Sequence, residues 1–207
     1  MNLFNFLVAG SVFLVLLLRT CIVSADVILY NWCPFPVYAW SIIGPAVSER
    51  FTVSKLSEQR FPTSTQPSVN IKMTIDPDLG KVGTGQLQFE YTVDNKATFR
   101  TYWDLSMIDG YIVQQPPPTV IPSPIPNKPG NIFYGHHVTV TPRGNVEAGN
   151  SLSKCRQVST PDNKGFNDKP DNVYWTPYDD QTSMHDCPVG FGDFLIDLCG
   201  FVRPFPA

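Results

Sequence analysis

Residues 31–40 read NWCPFPVYAW, and this stretch decides how the rest of the chain is interpreted. Its Trp, Phe, Tyr and Val residues favour strands, whereas its two prolines are tolerated only at strand ends, edges and turns. Cys33 within it predicts a first strand that is covalently tethered. On either side, residues 27–30 and 37–43 are almost continuously apolar, as expected for strands buried on both faces.

The first 25 residues are predicted to be a signal peptide. Residues 3–18 are almost wholly apolar, Arg19 ends the run, and residues 23–25 (VSA) supply a signal-peptidase site. A retained membrane anchor is the alternative, since about 20 apolar residues span a bilayer. We favour cleavage after Ala25 because the run is short and a processing site follows it. Cleavage would leave residues 26–207 as a single secreted domain.

The charge of the mature chain excludes one class of partner. Removal of Arg19 leaves 14 basic residues against 18 acidic ones, because residues 1–25 carry no other charge. This balance argues against nucleic acid, whose binding is driven by Lys and Arg neutralising phosphates. Beyond residue 25 no run is apolar for long enough to cross a membrane, so no membrane partner is expected after cleavage.

Four of the five cysteines remain in the mature chain, and an even number in an exported protein predicts disulfides. Their spacings contain no C-x-x-C pair, so a zinc site is disfavoured, and we expect neither a metal nor a cofactor. The residues alone leave three connectivities open. Pairing Cys155 with Cys187, which are 32 positions apart, would close a polar loop and stabilise the fold by about 3–4 kcal/mol.

Short stretches of alternating apolar and polar residues dominate the chain, and long helical patterns are absent. The clearest alternating stretches cover residues 69–75, 86–93, 98–104 and 137–141. Many short strands separated by turns predict an all-β fold of the sandwich type. Three irregular segments are expected, a polar one at 44–68 that carries Pro45, Pro62 and Pro67, a proline-rich loop at 114–131 and a polar loop at 155–187.

The alternating stretches on either side of residues 94–97 are predicted to form a hairpin. The register that matches apolar to apolar residues places Glu90 opposite Tyr102. Glu90 then lies diagonally from both Arg100 and Asp104, at Cα distances of about 7–8 Å. The pattern predicts one polar surface that combines two carboxylates, a guanidinium and a phenol.

Several of these segments resemble the thaumatin-like proteins, and in particular the small fungal BYS1 (yeast-phase-specific) family. The similar segments are residues 31–40, Tyr91, residues 102–106 and residues 108–110. The resemblance covers most of residues 26–114 and the final cysteine. It implies a thaumatin-like β-sandwich whose N-terminal strand is fastened to a cysteine near the C-terminus, here Cys33 to Cys199. That pairing leaves Cys155 for Cys187.

The resemblance also implies an acidic cleft, which in thaumatin-like proteins comprises one Arg, one Glu and three Asp. Glu90, Asp104 and Asp109 match the Glu and the first two Asp, in order and with similar spacing. The other positions have candidates only, which are Asp180 and Asp186 for the third Asp and Asn70, Lys72 and Arg100 for the Arg. The cleft signature is thus partly present.

Paired carboxylates suit glycoside hydrolysis, and weak β-1,3-glucan hydrolysis is associated with some plant thaumatin-like proteins. Glu90 and Asp104 would be the catalytic pair. A ligand-binding surface and a solvated structural ion pair worth about 0–1 kcal/mol are the alternatives. The residues expected to contact a ligand are Arg100, Tyr102, Asp109, Lys72, Trp175 and Tyr178.

The expected protein is a secreted fungal monomer, an effector candidate that acts at a cell wall or host surface. Its first expected function is non-catalytic binding of β-glucan or of a protein on a host or cell surface. The alternative is a weak endo-β-1,3-glucanase that uses the acidic cleft.

Overall fold

The computed structural model describes residues 25–78, 86–106, 136–144, 155–159, 173–174, 183–190 and 192–200. These residues form twelve strands in two sheets, which confirms the expected all-β sandwich. The loop at 114–131 and most of the loop at 155–187 lie outside the described residues. The expectation that residues 44–68 are irregular is wrong, because three strands, Ala46–Val47, Phe51–Val53 and Ser57–Pro62, lie within them and pair with the strands formed by residues 26–31 and 37–43. Within the described ranges, no helix is both long and apolar enough to span a membrane.

The five-stranded sheet is built around the first and last strands. In spatial order its strands are β10 (Val158–Ser159), β9 (Val138–Arg143), β12 (Asp193–Leu198), β1 (Asp26–Asn31) and β5 (Ser57–Pro62). β1 and β12 run parallel, with Val27 opposite Phe194, whereas the other neighbours are antiparallel. Residues 27–29 are buried on both faces, as predicted.

The seven-stranded sheet is antiparallel throughout. Its strands in spatial order are β11 (His185–Pro188), β8 (Arg100–Ser106), β7 (Leu87–Asp94), β6 (Val69–Thr74), β2 (Val37–Ile43) and β3 (Ala46–Val47), and β4 (Phe51–Val53) also pairs with β2. The prediction that β2 is buried throughout is wrong for Tyr38 and for residues 41–43, which are partly exposed. At residues 42–43, β2 pairs on its outer edge with the two-residue strand β3.

One aromatic cluster joins the two sheets. The ring centroid of Phe194 on β12 lies 4.9 Å from that of Phe89, 5.4 Å from that of Trp103 and 6.3 Å from that of Tyr91. All four side chains are at most 3% exposed. Burial of each contributes about 1.5–3 kcal/mol, and each aromatic pair adds about 0.5–1.5 kcal/mol. This cluster is the centre of the core.

Two disulfides fasten the strands, and they are the pairs that the family resemblance implies. Cys33–Cys199 lies just beyond the ends of the parallel strands β1 and β12 and links residues 166 positions apart. Cys155–Cys187 links the segment before β10 to β11. Since β10 and β11 are edge strands of different sheets, this bond ties one side of the sandwich together.

The register predicted for the β7–β8 hairpin is wrong by two residues. Glu90 lies opposite Asp104 rather than Tyr102, and Arg100 lies opposite Asp94. The predicted diagonal contact between Glu90 and Arg100 is therefore lost. A two-residue slip keeps every side chain on its own face, so the matching of apolar residues does not distinguish the two registers.

The turn between β7 and β8 sets the observed register. The Asp94 carboxylate accepts hydrogen bonds from the backbone N–H groups of Ala97, Lys96 and Thr98 at 2.9–3.0 Å. These bonds, led by that from Ala97, lower the pKa of Asp94 to about 2. Phe99 then adopts a φ of 52° and is 62% exposed. It ends the turn and does not pair within the strand, contrary to the prediction.

Replacing Phe194 by Ala tests the cluster that joins the sheets. We expect the free energy of unfolding to fall by about 3–5 kcal/mol, because a large cavity is left between the sheets. Phe99→Ala is the matched control and should change stability by no more than about 0.5 kcal/mol, since its ring is mostly exposed. Urea denaturation of both variants measures the difference, and equal losses would contradict the assigned core.

Replacing Asp94 by Asn tests the turn. The folded pKa of about 2 lies below the unfolded value of about 3.9. The carboxylate therefore stabilises the fold above pH 4, and this contribution is lost as the pH falls through about 2. We expect the urea midpoint of the variant to lie below that of the parent at pH 7, with the gap closing between pH 4 and 2. Asp78→Asn, in an exposed turn, is the control. A gap of constant size down to pH 2 would contradict this role.

Candidate functional site

The outer face of the seven-stranded sheet carries polar side chains in rows that run across the strands. The central row consists of Asn70 on β6, Glu90 on β7 and Asp104 on β8. The flanking rows are Thr92, Tyr102 and Asp186 on the side of the β7–β8 turn, and Lys72, Gln88 and Ser106 on the other side. The alternation of the strands brings these side chains together without any help from loops.

A shallow groove lies over this face, and we call it the carboxylate groove. Its volume is about 210 Å³, and its lining includes Ser68, Glu90, Thr92, Tyr102, Asp104 and Met184. The two carboxylate side chains are partly exposed, and Met184 is 38% exposed. The groove is thus open to solvent and largely polar, with a phenol ring and a thioether among its apolar surfaces.

Glu90 is held in place from the neighbouring strand. The side-chain amide of Asn70 donates hydrogen bonds to Glu90 Oε1 at 2.7 Å and to Gln88 Oε1 at 2.6 Å. A donated hydrogen bond favours the charged form of a carboxylate. Glu90 therefore presents an oriented acceptor to the groove.

A buried phenol lies beside the groove. The Tyr91 hydroxyl accepts a hydrogen bond from the Ser64 backbone N–H at 2.9 Å, and burial raises the pKa of this phenol.

Arg100 is paired with a different carboxylate from the one predicted. Its guanidinium donates to Asp186 Oδ2 from both Nε and Nη2. The Arg100 and Asp186 side chains are 27% and 17% exposed. Asp186, a candidate for the third Asp of the cleft, shares the face of Glu90 but neutralises Arg100. Tyr102 takes the position opposite Thr92 that Arg100 was predicted to hold, and the uncharged Asn70 contacts Glu90 from the other side, on β6.

The other predicted binding residues divide into three groups. Tyr102 lines the groove, between the two carboxylates and Asp186. Lys72 lies in the flanking row and is only 8% exposed, so little of its side chain is available to a ligand. Asp109, Trp175, Tyr178 and Asp180 lie outside the described residues.

Sequence reasoning missed three groove residues, Ser68, Thr92 and Met184. Thr92 had a signal, because it points outward in the alternation of β7. Met184 had none, because its position depends on the long-range pairing of β11 with β8. Ser68 precedes β6 and has a φ of 61°, which no periodic pattern indicates.

The arrangement offers carboxylate oxygens that can accept hydrogen bonds from hydroxyl groups. Glu90 and Asp104 lie directly opposite each other on adjacent strands, where Cβ atoms are about 4.5–5.5 Å apart. Acid–base chemistry at a glycosidic bond also uses two carboxyl groups. Among the described residues, no group of three or more His, Cys, Asp or Glu side chains is placed to hold a metal ion.

Comparisons with known proteins give a family and a fold. The model of the family described as Bys1, Blastomyces yeast-phase-specific protein, matches residues 16–199. The crystal structure of the protein elicitor MoHrip2 from Magnaporthe oryzae is similar, with a TM-score of 0.54. The two chains are 19% identical, and the match covers 86% of this chain and 100% of that one, which shows a shared fold. No curated protein matches the chain.

Proposed function

Because the chain belongs to the Bys1 family, we propose that it is a secreted, non-catalytic protein that binds a glycan at a cell wall or host surface. The binding site is the carboxylate groove, and the ligand is a neutral β-glucan. The open polar groove around Glu90 and Asp104 is the observation that carries the proposal. Asp186 neutralises Arg100, and the residues that the structure describes in the groove lining offer hydrogen-bond acceptors but no cation for an anionic ligand.

The size and lining of the groove support a sugar ring as its occupant. Its volume of about 210 Å³ is below the roughly 300–1,000 Å³ typical of pockets for drug-sized ligands, so one ring of a longer chain fits it. The carboxylates accept hydrogen bonds from hydroxyl groups, and Tyr102 and Met184 offer apolar surface for a ring face. Because Asn70 already orients Glu90, little side-chain freedom is lost on binding.

Three features support a location outside the cell. The two disulfides are typical of proteins that fold in an oxidising compartment. Residues 1–25 have the pattern of a signal peptide, a prediction that rests on sequence alone. The fold shared with a protein described as an elicitor supports action at a host surface. The thaumatin-like relationship stays a prediction, supported by the partial cleft signature.

A pull-down with insoluble polysaccharides tests the proposal. The protein is incubated separately with β-1,3-glucan, chitin and cellulose, and its depletion from the supernatant is measured. We expect depletion by β-1,3-glucan. The double variant Glu90→Gln/Asp104→Asn should bind at least about tenfold more weakly, since hydrogen bonds to charged groups contribute about 1.5–3 kcal/mol each.

The matched control is Glu49→Gln/Asp78→Asn, which makes the same change of charge at exposed positions outside the groove. It should bind like the parent. If none of the polysaccharides depletes the protein, or if the groove variant binds as tightly as the parent, the glycan proposal is wrong. A protein ligand would then be the remaining form of the binding hypothesis.

The direct pairing of Glu90 with Asp104 favours one second candidate, a weak endo-β-1,3-glucanase. One carboxyl group would protonate the leaving oxygen, and the other would act as nucleophile or base. The amide of Asn70 donates to Glu90 Oε1 and holds this carboxyl group in place, which would suit the nucleophile or base.

A hydrolase of this kind would release reducing ends from β-1,3-glucan. Glu90→Gln and Asp104→Asn should each abolish the release, whereas Arg100→Gln should leave most of it, because Arg100 pairs with Asp186. A reducing-sugar assay on the pull-down samples measures this directly. Release that survives both carboxylate substitutions would rule out catalysis in the groove.

A further inference from the structure

The start of β1 lies against a carboxylate from the last strand. The backbone nitrogen of Asp26 donates a hydrogen bond to Asp193 Oδ1 at 2.8 Å. This contact follows from the parallel register of β1 and β12, in which Val27 lies opposite Phe194, so that Asp26 and Asp193 adjoin at the strand starts. The preceding carbonyl group, of Ala25, accepts hydrogen bonds from the backbone N–H and the hydroxyl of Thr63.

Two carboxylates lie at this strand start. The Asp26 carboxylate is 3.6 Å from Arg60, which also pairs with Glu58 at 2.9 Å. The Asp193 carboxylate accepts the hydrogen bond from the Asp26 nitrogen, and Arg143 lies opposite Asp193 in the sheet. A positive charge on that nitrogen would therefore lie at hydrogen-bond distance from a carboxylate.

We propose that hydrolysis of the Ala25–Asp26 peptide bond creates an α-ammonium group that forms an ion pair with Asp193. A peptidase of the exporting cell adds water across the bond, leaving a carboxylate on Ala25 and an ammonium group on Asp26. The ammonium nitrogen already lies at hydrogen-bond distance from Asp193 Oδ1. A charge-assisted hydrogen bond is roughly twice as strong as the neutral one that it replaces. This bond offsets the loss of the Ala25 acceptor for Thr63.

The ion pair would fix the new N-terminus at the start of β1, an inner strand of the five-stranded sheet. N-terminal residues are poorly ordered unless something holds them. The cleaved bond precedes Asp26, the first residue of β1, so the ammonium group that cleavage creates lies where the strand begins. The proposal does not depend on the carboxylate groove, so it stands or falls separately from glycan binding.

The first test identifies the processed N-terminus. The full chain is expressed in a secreting host, and the exported protein is analysed by intact mass and N-terminal sequencing. We expect the chain to begin at Asp26. A chain that begins at another residue, or that retains residues 1–25, would overturn the proposal.

The second test measures the ammonium group itself. In the chain that begins at Asp26, a ¹⁵N-NMR titration should show an α-amine pKa about one unit above its ordinary value of about 8. Asp193→Asn should return it to the ordinary range. An ordinary pKa in the parent protein would overturn the ion pair.

The third test uses a matched chain that begins at Ser24. It has the same net charge, but its Asp26 nitrogen is an amide. Because the pairing raises the amine pKa, the pair stabilises the fold at pH 7, and this contribution is lost as the pH rises towards 10. The urea midpoint of the Asp26 chain should fall more steeply from pH 7 to 10 than that of the Ser24 chain. Asp193→Asn should remove the difference. Identical pH profiles of the two parent chains would overturn the proposal even if Asp193→Asn does not fold.

Discussion

The contact of Phe194 with Phe89, Tyr91 and Trp103 is the interaction on which the rest of the structure depends. It is the point where β12 of one sheet meets β7 and β8 of the other, with centroid distances of 4.9–6.3 Å. Because side chains alternate along a strand, burying these rings inward directs their neighbours outward. Glu90 and Asp104 are such neighbours, so the core also creates the polar face that carries the groove.

The disulfides extend this constraint to the edges. Cys33–Cys199 closes the parallel pair that carries Phe194, and Cys155–Cys187 ties an edge strand of one sheet to an edge strand of the other. The second bond also positions β11, which supplies Asp186 and lies next to Met184. Arg100 is thereby neutralised beside the groove. A groove built on strands needs little reorganisation on binding, which supports the proposed role.

Alternation in the sequence predicted the sandwich, four of its strands and the outward direction of Glu90, Tyr102 and Asp104, but not the strands within residues 44–68. It could not predict the hairpin register, since slips of two residues preserve that alternation. The register is set by the turn, where Asp94 binds three backbone N–H groups and Phe99 takes a positive φ. The ion pair of Arg100 with Asp186 joins residues 86 positions apart, and a contact at that separation leaves no local pattern.

The proposed groove site depends on one geometric feature, that Glu90 and Asp104 lie side by side on the outer face. Antiparallel neighbours alternate between close and wide Cα pairs, so every second opposing pair brings its Hα atoms together. The most direct measurement is the set of Hα–Hα nuclear Overhauser contacts across β7 and β8. The observed register, in which Glu90 lies opposite Asp104 and Tyr91 opposite Trp103, predicts Hα–Hα contacts between opposing residues of this register. Contacts that pair Glu90 with Tyr102 or Tyr91 with Thr101 would contradict it, because the two carboxylates would then no longer be neighbours.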